Sequence, residues 1–151
     1  MVVTVRPLPH HAFADSPESE WEANLFSVFN GGIDFARVGR IPHWLAKAIG
    51  ASTTIVYLSK KTAQKIRGKH KEITFRDVLE LPVAFEKSDV AREGRLHLAI
   101  WFVSPHRKDL TIKAILKATN HGREIYVKTM YPIGKRRLKA LKAKTMALRD
   151  S

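Results

Sequence analysis

From Arg95 onward, apolar and polar positions alternate with a period of two. Leu96, Leu98, Ile100 and Phe102 alternate with His97, Ala99, Trp101 and Val103. The turn Ser104-Pro105-His106-Arg107-Lys108-Asp109 leads into a second run, in which Leu110, Ile112, Ala114 and Leu116 alternate with Thr111, Lys113, Ile115 and Lys117. After Asn120-His121-Gly122, the stretch from Glu124 to Tyr131 sets Ile125, Val127, Thr129 and Tyr131 on one side and Tyr126, Lys128 and Met130 on the other. Three consecutive strands with short polar turns predict an antiparallel meander, ended by Pro132 and Gly134.

Ahead of the meander the spacing is helical. Ser16-Pro17-Glu18 supplies an N-cap, a proline at the first helical position and an acid in the first turn. A helix is therefore expected from Pro17 to Phe29, with Trp21, Leu25, Val28 and Phe29 on its apolar face and Asn30-Gly31-Gly32 as its stop. A short helix follows over Pro42 to Ile49, closed by Gly50. Ile55-Val56-Tyr57-Leu58 reads as a buried strand, and Ser59 as the N-cap of a helix in which Ala63, Ile66 and His70 share one stripe. Thr74 to Glu80 reads as a further short helix, Val83 to Phe85 as a brief strand. Lys135 to Arg149 reads as a terminal helix with Leu138, Leu141, Thr145 and Leu148 on one side. Residues 1–15, with Pro7 and Pro9, are expected to be extended. The pattern predicts an α+β protein: N-terminal helices packed on a small antiparallel β-meander, with a basic terminal helix.

Composition changes this picture chiefly through charge. The 151 residues include 27 Lys and Arg against 14 Asp and Glu, a net of +13. The imbalance is uneven. Residues 1–35 hold one base (Arg6) and five acids (Asp15, Glu18, Glu20, Glu22 and Asp34), a net of −4, whereas residues 36–151 hold 26 bases and 9 acids, a net of +17. This divides the chain into an acidic segment over 1–40 with one helix and a basic α+β domain over 41–151. A field of that sign attracts polyanions, RNA first among them. There is no cysteine, so disulfides, thiolate catalysis and cysteine-held zinc are excluded. The His10-His11 pair has no second ligand group at a useful spacing, so no metal or other cofactor is expected. No apolar run approaches membrane-spanning length and no signal peptide is apparent, which points to a cytoplasmic protein without a membrane partner.

Candidate chemistry gathers in two places. His70 ends the stripe of its helix beside Lys61, Lys65 and Lys69, a cationic ridge with four-residue spacing. An imidazole so flanked can exchange protons next to a phosphate, or can simply close the core with a hydrogen bond. On the meander, His97 and Trp101 share one face of the first long strand, and Lys113 and Lys117 share one face of the second. If helices cover the aliphatic side, the open side offers cations for phosphate and a flat ring for a base. Thr129 stands near Lys128, Tyr131, Lys135, Arg136 and Arg137, a further set of donors for an anionic ligand.

The strand, the helix ending in Lys69-His70, the Leu81-Pro82 element, the meander and its Lys128-Thr129 ending resemble the phage-type members of the barnase–EndoU–colicin–RelE-like ribonuclease superfamily, over roughly Ile41 to Lys142. The resemblance implies a helix packed on a small antiparallel sheet and metal-independent cleavage of RNA by attack of the ribose 2′-hydroxyl on its own phosphate. It implies Lys69, His70 and Thr129 as site residues, a toxin or phage-conflict role, and an acidic protein inhibitor as a partner. In such a reaction His70 would carry a proton, Lys69 would stabilise the phosphorane and hold His70 toward its neutral form, and Thr129 would orient the phosphate. The second proton carrier is His97 or Tyr131. The strand-borne glutamate, arginine and histidine of barnase find no clear counterpart here. A non-catalytic nucleic-acid-binding protein with the same basic surface is the alternative. A protein-interaction module is a third reading, and an acidic segment folded over the basic groove would autoinhibit it.

Overall fold

The computed structural model describes residues 18–145. The extended segment, the His10-His11 pair and the Ser16-Pro17 cap expected before residue 18 lie outside the described residues, as do Leu148 and Arg149; the helix expected to run from Lys135 to Arg149 ends at Lys142, after which the chain turns and Thr145 bridges to Ala91. Among the described residues, six helices accompany one six-stranded sheet.

The elements run in the order α1 (Glu18–Phe29), β1 (Phe35–Arg40), α2 (His43–Ala48), β2 (Ile55–Ser59), α3 (Lys60–Lys69), α4 (Phe75–Leu79), α5 (Leu81–Lys87), β3 (Val90–Gly94), β4 (His97–Ser104), β5 (Arg107–Ala118), β6 (Ile125–Ile133) and α6 (Lys135–Lys142). Strand order is β1-β2-β6-β5-β4-β3. The meander β4-β5-β6 forms as its alternation and polar turns dictate, and β3 extends it antiparallel on the far side. β2 pairs with β6 in parallel, Val56 opposite Ile125 and Tyr57 opposite Tyr126, so the sheet is mixed.

One core unites these elements. Leu25, Val28 and Phe29 of α1, Ala63 and Ile66 of α3, and Leu81, Ala84 and Phe85 of α5 pack with Leu98, Ile100, Ile112, Ala114, Leu116, Ile125 and Val127 of the strands. Ser59 caps α3 as its position suggests, accepting a hydrogen bond from the Thr62 N–H at 3.1 Å. The Asp77 carboxylate accepts from both the Thr74 N–H (2.9 Å) and its hydroxyl (3.2 Å), which fixes the start of α4.

Several expectations are corrected. Residues 83–85 are helical rather than extended: Pro82 lies in the first turn of α5, where its missing N–H costs nothing, and Leu81, Ala84 and Phe85 have helical spacing on a buried face. β1 is a strand that alternation did not reveal, because the register slips between Arg37 and Gly39. Gly39 there lies against the Phe85 ring and Pro82, where a Cβ would come within 3.2 Å of either. The boundary expected at residue 40 does not coincide with a break in packing, since β1 is an edge strand of the sheet, α1 packs in the same core, and the Trp21 indole N–H donates to the Arg37 carbonyl at 3.0 Å.

The most consequential correction concerns β6. Its pairing with β5 slips between Ile115 and Leu116, so Leu116 faces Val127 while Ile115 faces Thr129. The bulge leaves Lys128 as an extra, exposed residue and reverses the phase beyond it. Ile125, Val127 and Met130 face the core, whereas Thr129 and Tyr131 join Tyr126 on the outer face.

Candidate functional site

The outer face is built from cross-strand rows set by register. His97, Lys117 and Tyr126 form one row across β4, β5 and β6. Ala99, Ile115 and Thr129 form the next, then Trp101, Lys113 and Tyr131. Part of this face is covered. Leu138 and Leu141 of α6 pack with Ala91, Ala99, Trp101 and Ile133 in a second, small core. Trp101 is only 6% exposed, so it is a packing residue beneath α6 and not the stacking platform expected of it.

What remains open is a band of polar groups with two ends. At one end the Lys128 ammonium reaches across β5 to His97, with Nζ 3.4 Å from Nε2. Lys117 stands beside His97 in register. Burial and the charges of Lys128 and Lys117 hold the His97 pKa below its ordinary value, with Glu93 pulling weakly the other way. At the other end the His70 ring lies 5.7 Å from the Tyr131 ring, and the Lys113 ammonium sits over the Tyr131 ring at the same centroid distance. His70 reaches this position because it is the C-cap of α3, which runs along β6 past the point where β2 stops.

Glu93 joins the two ends. It lies at the bulge of β3, and its carboxylate bonds the Lys113 ammonium at 2.7 Å in a pair whose side chains are 14% and 22% exposed. Burial opposes the Lys113 charge, yet the bonds to Glu93 and Tyr131 prevail and raise its pKa. The same carboxylate acts electrostatically on His97. Sequence reasoning missed Glu93, since a short strand followed by Arg-Glu-Gly-Arg carries no periodic signal.

The expected site residues therefore divide. His97, Lys117 and Lys128 come together, and so do His70, Tyr131 and Lys113. Thr129 lies between the groups on the outer face, and no hydrogen bond joins it to His70 among the described residues. His97 and Trp101 are four residues apart along β4, so the two ends of the band are separated by about 13 Å. Lys65 and Lys69 are exposed on α3, and Lys135, Arg136 and Arg137 are exposed in the first turn of α6.

A different cluster lies outside the band. The buried Ser104 hydroxyl donates to Asp77 at 2.7 Å, and His106 Nδ1 lies 3.3 Å from that hydroxyl and 3.6 Å from the carboxylate. One imidazole nitrogen meets both partners, so the ring does not stand between acid and hydroxyl as nucleophile activation requires. The cluster is a structural clasp between α4 and the β4–β5 turn. No group of three or more His, Asp or Glu side chains among the described residues is arranged to hold a metal, and no helix among them is long and apolar enough to cross a membrane.

Comparison with protein-family models, with curated proteins and with solved structures returns no match for this chain. The functional reading therefore rests on the outer face itself.

Proposed function

We propose that the protein binds RNA across the outer face of its sheet and cleaves it as a metal-independent endoribonuclease, the ribose 2′-hydroxyl attacking the adjacent phosphate. The observation that carries this reading is the environment of His97: an imidazole held toward its neutral, proton-accepting form by burial and by two neighbouring ammonium groups. His97 would take the 2′-hydroxyl proton as the 2′-oxygen–phosphorus bond forms, a role typically worth about 10²–10⁴ in rate, while the phosphorus–5′-oxygen bond breaks and the departing 5′-oxygen takes its proton from water. Lys117 and Lys128 would stabilise the charge that develops on the phosphorane. Glu93, which acts on both His97 and Lys113, would orient the pair and balance the charge of the resting site.

The helical layer on one face and polar groups on the other suit the resemblance to barnase-like ribonucleases, with His97 as a strand-borne imidazole and Glu93, which the sequence did not reveal, as the strand-borne acid. Under this reading Lys69, His70 and Tyr131 bind the RNA strand further along, joined by Lys65, Lys135, Arg136 and Arg137. An acidic protein inhibitor, as for a toxin or phage-conflict effector, would compete for the same cations.

A second reading, a nucleic-acid-binding protein without catalysis, is favoured by the separation of the two ends of the band. It leaves His97 without a second imidazole close by to protonate the leaving 5′-oxygen.

Incubating the protein with total RNA in EDTA separates the two. Fragments with 2′,3′-cyclic phosphate ends that vanish with His97→Ala are the expected result. RNA left intact by the unmodified protein, while still retained in a binding assay, leaves the binder. Loss of cleavage in His70→Ala but not in His97→Ala would move the chemistry to the other end of the band.

A further inference from the structure

A groove of about 780 Å³ adjoins the His97 end of the band, between the start of α3 and the β5–β6 turn. Its size falls within the range of sites for small organic ligands. Phe35 and Tyr126 line it, and both are held by packing: the Phe35 ring meets Tyr57 edge-on at 5.9 Å, and Tyr57 meets Tyr126 at 5.8 Å. Lys61 and Lys117 contribute cations to the same walls. Lys128 lines the groove and also touches His97, so the groove and the His97 cluster are continuous. Asn120 lies on the rim, exposed, and its side-chain amide makes no hydrogen bond among the described residues.

The two kinds of group ask for one kind of occupant. A bare phosphate would use the ammonium groups but not the aromatic walls. An uncharged apolar ligand would use the walls and leave three cations without a partner. A nucleotide satisfies both, and an amide, with donor and acceptor side by side, can read the edge of a base. We infer that the groove is a subsite for one unpaired nucleobase, flanking the phosphate that His97, Lys117 and Lys128 contact. This deepens the RNA-cleavage reading and takes its substrate from it. The substrate class is single-stranded or loop RNA, because bases in a duplex are stacked and cannot enter a side pocket.

The full chain titrated calorimetrically with the four ribonucleoside 3′-monophosphates, ribose 5-phosphate and inorganic phosphate tests this. At least one nucleotide should bind about tenfold or more tightly than ribose 5-phosphate, as stacking on an aromatic wall implies. Phe35→Leu should lose most of that margin with phosphate binding unchanged, and Asn120→Ala should reorder the preference among bases. Asn120 is exposed, so its variant carries the test if Phe35→Leu fails to fold. Equal binding of nucleotides and ribose 5-phosphate, or a margin and a base order indifferent to both substitutions, would overturn the subsite. Base-dependent binding by a protein that leaves RNA intact supports the subsite while ending the cleavage reading. Cleavage without base-dependent binding does the reverse.

Discussion

His97 and Lys128 belong to strands that are not neighbours, yet Lys128 Nζ comes within 3.4 Å of His97 Nε2 across the intervening β5. Alternation places Lys128 on the outer face with Tyr126, and the bulge in β6 leaves it without a register partner on β5. A cation so close disfavours protonation of the imidazole.

That relationship sets a pH dependence. With the His97 pKa lowered from 6.5, the neutral base persists below that value, so the acid limb of kcat/KM for RNA cleavage should fall below pH 6.5. Lys128→Ala and Lys117→Ala should move the limb upward, and Glu93→Gln should move it further down. NMR titration of the His97 ring checks the same shifts without turnover. The linked stability has a fixed sign: it is fully present above pH 6.5 and is lost as pH falls from there through the lowered folded value. An unshifted His97 titration would remove the basis of the base assignment.

The Glu93–Lys113 pair is expected to govern the far end of the band. Glu93→Gln removes the strongest support of the Lys113 charge, so the Lys113 pKa should drop from its raised value. Lys113→Met should leave the Glu93 carboxylate without its 2.7 Å partner and weaken RNA binding at low salt. If each lysine contacts one phosphate of a single strand, every such loss should reduce the slope of log K against log salt by about 0.7.

Trp101 separates packing from recognition. Because Trp101 lies beneath Leu138 and Leu141, Trp101→Ala should cost about 3–5 kcal/mol in urea unfolding. Trp101→Phe, which keeps an aromatic filler, should leave RNA affinity unchanged. A large loss of affinity in a stably folded Trp101→Phe protein would mean that α6 does not cover the ring in solution.

Asp77 is fully buried and accepts bonds from the Thr74 N–H, the Thr74 hydroxyl and the Ser104 hydroxyl. Asp77→Ala leaves these donors unsatisfied and should destabilise the fold by about 2–4 kcal/mol, measured by chemical denaturation. RNA cleavage by the folded fraction should be unaltered, since the clasp lies outside the band.

Two turn glycines should respond unequally. Gly50 (φ +72°) has open space around a built Cβ, so Gly50→Ala should cost about 1–2 kcal/mol, the strain of a left-handed alanine. Gly122 (φ +71°) carries the same strain, and its Cβ would also run into the Gly50 carbonyl oxygen. Gly122→Ala should therefore be the more damaging in thermal unfolding. It also disturbs the β5–β6 turn, whose Gly122 carbonyl accepts from the Ser52 N–H at 2.7 Å.

Much of the fold was legible along the chain. The alternation from Leu96 to Leu116 prescribed β4 and β5, the Ser59 cap and the Ala63–Ile66 spacing prescribed α3, and the faces of His97, Lys113 and Lys117 followed from a period of two. These are local properties, fixed by backbone geometry within one or two turns or strands. The cationic excess that directs attention to RNA is likewise a matter of composition alone.

The sheet order, the shelter of Trp101 and the shape of the site were decided only in three dimensions. Ile125, Val127, Thr129 and Tyr131 read as one side of a strand until a single inserted residue, Lys128, divides them between core and surface. Alternation in one strand cannot report a slip that exists only relative to its partner. His70 and His97 look equally available in the sequence, but they stand at opposite ends of a band whose length is set by strand register. Glu93, silent in the sequence, bonds Lys113 and acts on His97 because β3 pairs with β4. The sequence determined which residues carry charge and which repeat; the pairing of segments far apart in the chain determined which of them meet, because contacts between strands depend on register and packing that no local pattern encodes.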